Sequence, residues 1–178
     1  YEFIWWEPGL EVKPSKYVAV TKLENFNVSV WLNNVTVSDR LVSVEFKLHY
    51  NTTLLAVTQV TEGLFLKQFG TTTFSPQKLG DCVRVNVTLT PSLGYPEGNG
   101  TIASITFQSI YQDYEQRSCG LNLFKSEVLL YNSTKNPVTP TTPPVNGTYT
   151  ILSNGGSLVT INVSPPSIKI GSSASIYG

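Results

Sequence analysis

Apolar and polar residues alternate along this chain with a period of two, in short runs separated by Gly, Pro, Asn and Asp. In NFNVSVWL, Phe26, Val28, Val30 and Leu32 fall on one face and Asn27 on the other. In CVRVNVTL, Val83, Val85, Val87 and Leu89 share a face and Asn86 lies opposite. LVTINVS repeats the arrangement, with Val159, Ile161 and Val163 against Asn162. Successive side chains of a strand point to opposite sides, so each run reads as a half-buried strand. The pattern predicts strands over Leu10–Lys13, Tyr17–Lys22, Asn25–Asn33, Leu41–Tyr50, Leu54–Thr61, Leu64–Phe69, Cys82–Leu89, Thr101–Ile110, Leu121–Tyr131, Thr148–Leu152, Ser157–Val163 and Ser167–Ile170. Helical periodicity is almost absent. Many short alternating strands with turn residues between them predict an all-β sandwich. Within Leu41–Tyr50 the expected inward stripe is Val42, Val44, Phe46, Leu48 and Tyr50, which leaves His49 on a solvated face with Lys47 and Glu45.

Other stretches are loops by composition. Pro91–Gly100 holds Gly94, Pro96, Gly98 and Gly100, and Asn132–Gly147 is rich in Thr with Pro137, Pro140, Pro143 and Pro144. The second reads as a long, stiff loop inside the domain. Asn154-Gly155-Gly156, between two alternating runs, reads as a hairpin turn.

The run from Asn27 to Phe65, NVSVWLNNVTVSDRLVSVEFKLHYNTTLLAVTQVTEGLF, resembles the first half of a cohesin-type domain. It has an alternating strand, a polar turn, a strand ending in Tyr50-Asn51, then a Leu and a Gly63-Leu64-Phe65 step. Gly80–Leu89 fits as a later strand, the stretch from Gly98 through Asn99 and Gly100 to Phe107 as a Gly-rich turn into the next, and Asn146-Gly147-Thr148-Tyr149 as the start of the closing strand. The match spans roughly Leu10 to Leu152. The resemblance implies a jelly-roll β-sandwich that binds proteins; along the whole chain, residues 1–9 read as an extended N-terminal donor strand and residues 10–178 as one domain.

Charged residues make up 13% of the chain, against a typical quarter, and formal net charge is zero. Without a basic stripe, nucleic acid and anionic membrane are not expected partners. A surface so poor in titratable groups is expected to give flat stability from about pH 2 to 7. The chain starts at Tyr1 and has no Met, which reads as a mature form after removal of a signal peptide. No apolar run approaches the roughly 18 residues of a membrane span, so an exported, extracellular protein that is not inserted in the membrane is expected.

Eight asparagines open an Asn-x-Ser/Thr triplet: Asn27, Asn34, Asn51, Asn86, Asn99, Asn132, Asn146 and Asn162. Those on strands point away from the apolar face, where a glycan would find solvent, so N-linked glycosylation is expected. The two cysteines, Cys82 and Cys119, read in an exported chain as one disulfide, with reduced core thiols as the alternative. The bridge would close a loop of roughly 38 residues, worth about 4 kcal/mol.

No nucleophile elbow, phosphate loop or His-Glu metal motif is present, and the carboxylates are scattered singly, so an enzyme is not expected. No cofactor is implied. Asp113, Glu115 and Gln112 offer oxygen ligands, fewer than calcium's six to eight and without a Gly-rich loop, so calcium is neither required nor excluded. Trp31, on the polar face of its strand, is a candidate platform for a sugar ring.

The octapeptide YEFIWWEP is densely aromatic. Tyr1, Phe3 and Trp5 point one way and Ile4 and Trp6 the other, and rings of about 150–250 Å² each need cover. They either fold back as an edge strand of their own domain or insert as a donor strand into a neighbouring copy. The second arrangement is head-to-tail and propagates as a filament of identical subunits. An exported, glycosylated sandwich with an apolar terminal strand resembles the subunits of archaeal surface filaments, the thread and bundling-pilus proteins. Three functions are therefore expected in order: filament subunit, cohesin-like adaptor, and carbohydrate-binding or S-layer-associated module.

Overall fold

The alternating runs pair into two sheets in the computed structural model, which describes residues 7–152 except 21, 22, 112, 114, 139, 141 and 142. The strands are β1 (Gly9–Lys13), β2 (Lys16–Ala19), β3 (Asn25–Val35), β4 (Leu41–His49), β5 (Leu55–Glu62), β6 (Gly70–Leu79), β7 (Cys82–Pro91), β8 (Gly98–Ser109), β9 (Arg117–Leu123), β10 (Leu129–Asn132) and β11 (Gly147–Ile151). One sheet runs β1-β3-β8-β5 and the other β2-β11-β9-β4-β7-β6. β10 lies against the first half of β4 and β9 against its end, so the two share a lane. β2 joins β11 in parallel; the other described ladders are antiparallel. The result is a jelly-roll β-sandwich.

The sheets meet through the inward face of each alternation. Val28, Val30, Leu32, Ile105 and Phe107 from one sheet face Val44, Phe46, Leu48, Val83, Val85 and Tyr149 from the other, all fully buried. Each such side chain contributes about 1.5–3 kcal/mol on leaving water. One end of the core is aromatic: Phe26 stacks on Tyr17 at 4.2 Å and on Tyr149 at 5.0 Å, and lies 5.6 Å from Phe107.

Several expectations change. β6 was not predicted: it is an edge strand whose positions are mostly exposed, so its sequence GTTTFSPQKL carries no apolar stripe. Pro76 is tolerated there because an edge strand has one row of backbone groups without a ladder partner. Leu64–Phe69 is not a strand but a 3₁₀ turn over Leu66–Phe69, with Leu66 and Phe65 filling the core. Leu121–Tyr131 is broken by a 3₁₀ turn at Lys125–Glu127. The inward stripe of β4 begins at Leu41, which is buried, rather than at half-buried Val42, and Tyr50 is only half-buried. The loop expected over Pro91–Gly100 is trimmed at both ends by β7 and β8. The strands expected over Ser157–Val163 and Ser167–Ile170, the turn at Asn154-Gly155-Gly156, and residues Lys22 and Thr21 lie outside the described residues.

Candidate functional site

The outward face of β4 and β7 gathers charge. Alternation places Glu45, Lys47 and His49 of β4 opposite their buried neighbours, and register sets them beside Asn86, Arg84 and Cys82 of β7. Lys47 directly opposite Arg84 would be repulsive by itself. Each cation is instead drawn to a carboxylate: Arg84 Nε donates to Glu45 Oε1 at 2.8 Å and Lys47 Nζ to Glu127 Oε1 at 3.0 Å. Asn86 Nδ2 donates to the other oxygen of Glu45 at 2.9 Å. Glu127 comes from the 3₁₀ turn that interrupts the expected strand, and its second oxygen lies 2.6 Å from His49 Nε2. Phe124, half exposed, packs edge-on against the His49 ring at 5.0 Å. His49 is thus on the predicted face, but held by partners rather than simply solvated.

The Arg84 guanidinium holds the Glu45 carboxyl below the usual carboxylate range, and the Lys47 ammonium, with His49, does the same for Glu127. A depressed folded pKa stabilises the native state fully above the unfolded value near 4.3, and that contribution is lost as pH falls through the folded value. Unfolding midpoints are therefore expected to decline below about pH 4.5, in place of the flat profile expected from low charge content. Thermal unfolding of Glu45→Gln/Glu127→Gln across that range should give a shallower decline; an unchanged slope would assign the effect to other carboxylates.

The sequon asparagines spread over the molecule. Asn27 is exposed on the outer face of the four-stranded sheet, where its Oδ1 accepts from Thr106 Oγ1 at 2.7 Å. Asn86 lies within the charged face of the other sheet. Asn34 and Asn99 meet at one end, the Asn34 N–H donating to Asn99 Oδ1 at 2.6 Å. Asn51 and Asn132 form Asx turns that accept from the N–H and hydroxyl of their own triplet's Thr53 and Thr134. Asn146 is exposed, and its Oδ1 accepts from the Leu123 N–H at 2.8 Å. Asn162 lies outside the described residues.

The expected Cys82–Cys119 disulfide is not formed: both are free thiols. β4 runs between β7 and β9, and two lanes of a sheet are about 9.6 Å apart, beyond the roughly 4.4–6.8 Å Cα separation a disulfide spans. Cys119 is also three residues from Asn122, the β9 residue level with His49. Burial pushes both thiols up in pKa. Of the calcium candidates, Glu115 pairs with Arg117 at 2.6 Å, Asp113 is exposed, and Gln112 lies outside the described residues. Trp31 is half-buried, and the Lys13 ammonium sits 4.3 Å over its ring, where a sugar would have to stack. The donor-strand residues Tyr1, Phe3, Ile4, Trp5 and Trp6 lie outside the described residues. Sequence reasoning missed Asp81 and Glu127 as members of the charged face. Their link to His49 is made by register and by a turn, for which a period of two carries no signal.

No family model matches the chain, and no curated protein matches it. Its fold matches solved cohesins. A non-cellulosomal cohesin from the hyperthermophilic archaeon Archaeoglobus fulgidus superposes with a TM-score of 0.63 at 22% identity, covering 83% of this chain and 92% of that one. The third ScaC cohesin of Acetivibrio cellulolyticus, solved in complex with the ScaB dockerin, gives 0.65 at 10% identity, covering 82% and 99%. The OlpC cohesin of Clostridium thermocellum, solved in complex with Doc435, gives 0.65 at 15% identity, covering 83% and 94%. The chain therefore has a cohesin-like β-sandwich fold.

Proposed function

We propose that this chain is a cohesin-like adaptor that binds a partner protein on the outer face of β9, β4, β7 and β6. The carrying observation is the concentration of ion pairs there, Glu45–Arg84 and Lys47–Glu127 with His49, in a chain only 13% charged. A pre-oriented array of both signs on a broad sheet selects a partner by electrostatic complementarity. Exposed Thr71, Thr73, Ser75 and Gln77 of β6 extend it as a flat polar surface, and Phe124 and Leu129 offer apolar anchors at the opposite border. Two of the solved cohesins above were determined with dockerins, which supports a dockerin-type module as the partner class.

Reversing one charge tests the reading. Glu45→Lys places three cations together and is expected to weaken capture of a dockerin-type partner by about tenfold, or 1.4 kcal/mol, in calorimetry. Gln59→Lys, exposed on the other sheet, should leave affinity unchanged. Equal losses in both variants, or no complex with any dockerin-type partner, would remove the docking face. A sugar on Asn86 would cover this surface, so docking-competent protein should be unmodified there.

Export and glycosylation at the exposed or half-exposed Asn27, Asn34, Asn51, Asn99, Asn132 and Asn146 belong to the same proposal, supported by their access to solvent. Among the described residues no helix is long and apolar enough to cross a membrane. Head-to-tail polymerisation through the N-terminal strand has less support, because the fold likeness is to cohesins and the donor rings lie outside the described residues. A sedimenting polymer of the full chain that vanishes on removal of residues 1–6 would reinstate it.

A further inference from the structure

The geometry points to a binding site for a borderline-soft divalent cation of the zinc type, formed by His49, Asp81 and Cys82 at the corner of the charged face. It stands independently of the docking reading. The three come together through backbone geometry. β6 and β7 are joined by a two-residue turn, Gly80-Asp81, with Gly80 at φ +52 in the left-handed first position. The Asp81 carbonyl accepts from the Tyr50 N–H at 3.0 Å, which pins the turn to the end of β4. Register then sets Cys82 directly across from His49 on the same face.

One ligand atom from each of the three residues lies within 4.8 Å of the others, and His49 Nδ1 is 3.8 Å from Asp81 Oδ2. Zinc bonds of about 2.0–2.3 Å in a tetrahedron place ligand atoms roughly 3.3–3.8 Å apart. Closure by about an ångström is enough, and Asp81, whose side chain is 76% exposed, is free to supply it. His49 is already prepared as a ligand. Glu127, anchored by Lys47, has its second oxygen 2.6 Å from Nε2 and accepts that N–H, which leaves Nδ1 turned towards Asp81. A carboxylate on the far nitrogen of a histidine is the usual outer support of a metal ligand, fixing ring and tautomer. The Nδ1–Asp81 distance is too long for a hydrogen bond, so that carboxylate does not hold a proton on Nδ1. Nitrogen, carboxylate oxygen and thiolate sulfur suit zinc, with the solvent side open to water as fourth ligand. On binding, the Cys82 S–H bond breaks, its sulfur pair bonds the metal, and one proton leaves to water.

Titration of the chelator-treated full chain with Co²⁺, then displacement by Zn²⁺, tests the site. The expected result is one equivalent bound, with a thiolate-to-cobalt charge-transfer band and the intense visible bands of tetrahedral coordination. The band should vanish in Cys82→Ser and survive in Cys119→Ser. Glu127→Gln should keep the band while weakening affinity about 10–100-fold. His49→Gln should lose tight binding even if Cys82→Ser does not fold, and thermal unfolding in chelator checks each variant. Absence of the charge-transfer band, its dependence on Cys119, or wild-type affinity in His49→Gln would overturn the assignment.

Discussion

Phe107→Ala is expected to lower stability by about 3–5 kcal/mol, the range for deleting a buried aromatic ring. Phe107 is fully buried on β8, the central partner of both β3 and β5, and pairs across with Phe26 and Val57. Its ring lies 5.6 Å from Phe26 and meets Tyr50 edge-on at 5.2 Å. Removal therefore opens a cavity and also withdraws a neighbour from the Tyr17–Phe26–Tyr149 stack. The sheets on either side are fixed by ladders, so they cannot collapse onto the void, and the cost should fall in the upper part of the range. At about 2–4 °C per kcal/mol for a chain of this size, the melting temperature should drop by roughly 10–15 °C. Urea unfolding should show a lower midpoint with an unchanged slope. A loss under about 1 kcal/mol would mean that this end of the sandwich is not closed.

Val28, Val85 and Phe46 were legible in the sequence as buried positions, for one physical reason. A strand with one buried face must alternate, and a slip of one residue would turn the whole stripe to solvent. The same reason explains what was not legible. β6 is exposed on most of its length, so no burial constraint writes a pattern into it. Phe65, Leu66 and Phe69 are apolar because they plug one end of the core, and a short plug has no period to distinguish it from a strand. The expected disulfide followed from counting cysteines, whereas pairing depends on which strand runs between them. The charged face was half legible: alternation put Glu45, Lys47 and His49 together, but Arg84 and Cys82 arrive by register, and Glu127 by the turn after Phe124. Local periodicity encodes which way a side chain points; it does not encode which distant side chain it meets.

Gly63→Ala is expected to cost about 3 kcal/mol, although a methyl is the smallest possible addition. An added Cβ would lie 2.0 Å from the Thr101 carbonyl oxygen, 2.4 Å from its carbon and 2.8 Å from the Ile102 carbonyl carbon. All three are backbone atoms of β8, so no rotamer change relieves the contact. The chain must withdraw, and the bonds that hold it there go too: Gly63 N–H to Ile102 O at 2.7 Å and Phe65 N–H to Thr101 O at 3.1 Å. Phe65 would then leave its buried position against Gly100, whose own missing Cβ makes room for that ring. Gly80→Ala is the informative contrast. Gly80 has φ +52 but nothing within 4 Å of an added Cβ, so its substitution should cost only the left-handed backbone strain, about 1–2 kcal/mol. Chemical denaturation of the two variants side by side separates the demands: Gly63 is required for space and Gly80 for conformation. If Gly63→Ala proved no worse than Gly80→Ala, the close approach of this segment to β8 would be wrong, and with it the Gly-Leu-Phe step as the device that seats Phe65 in the core.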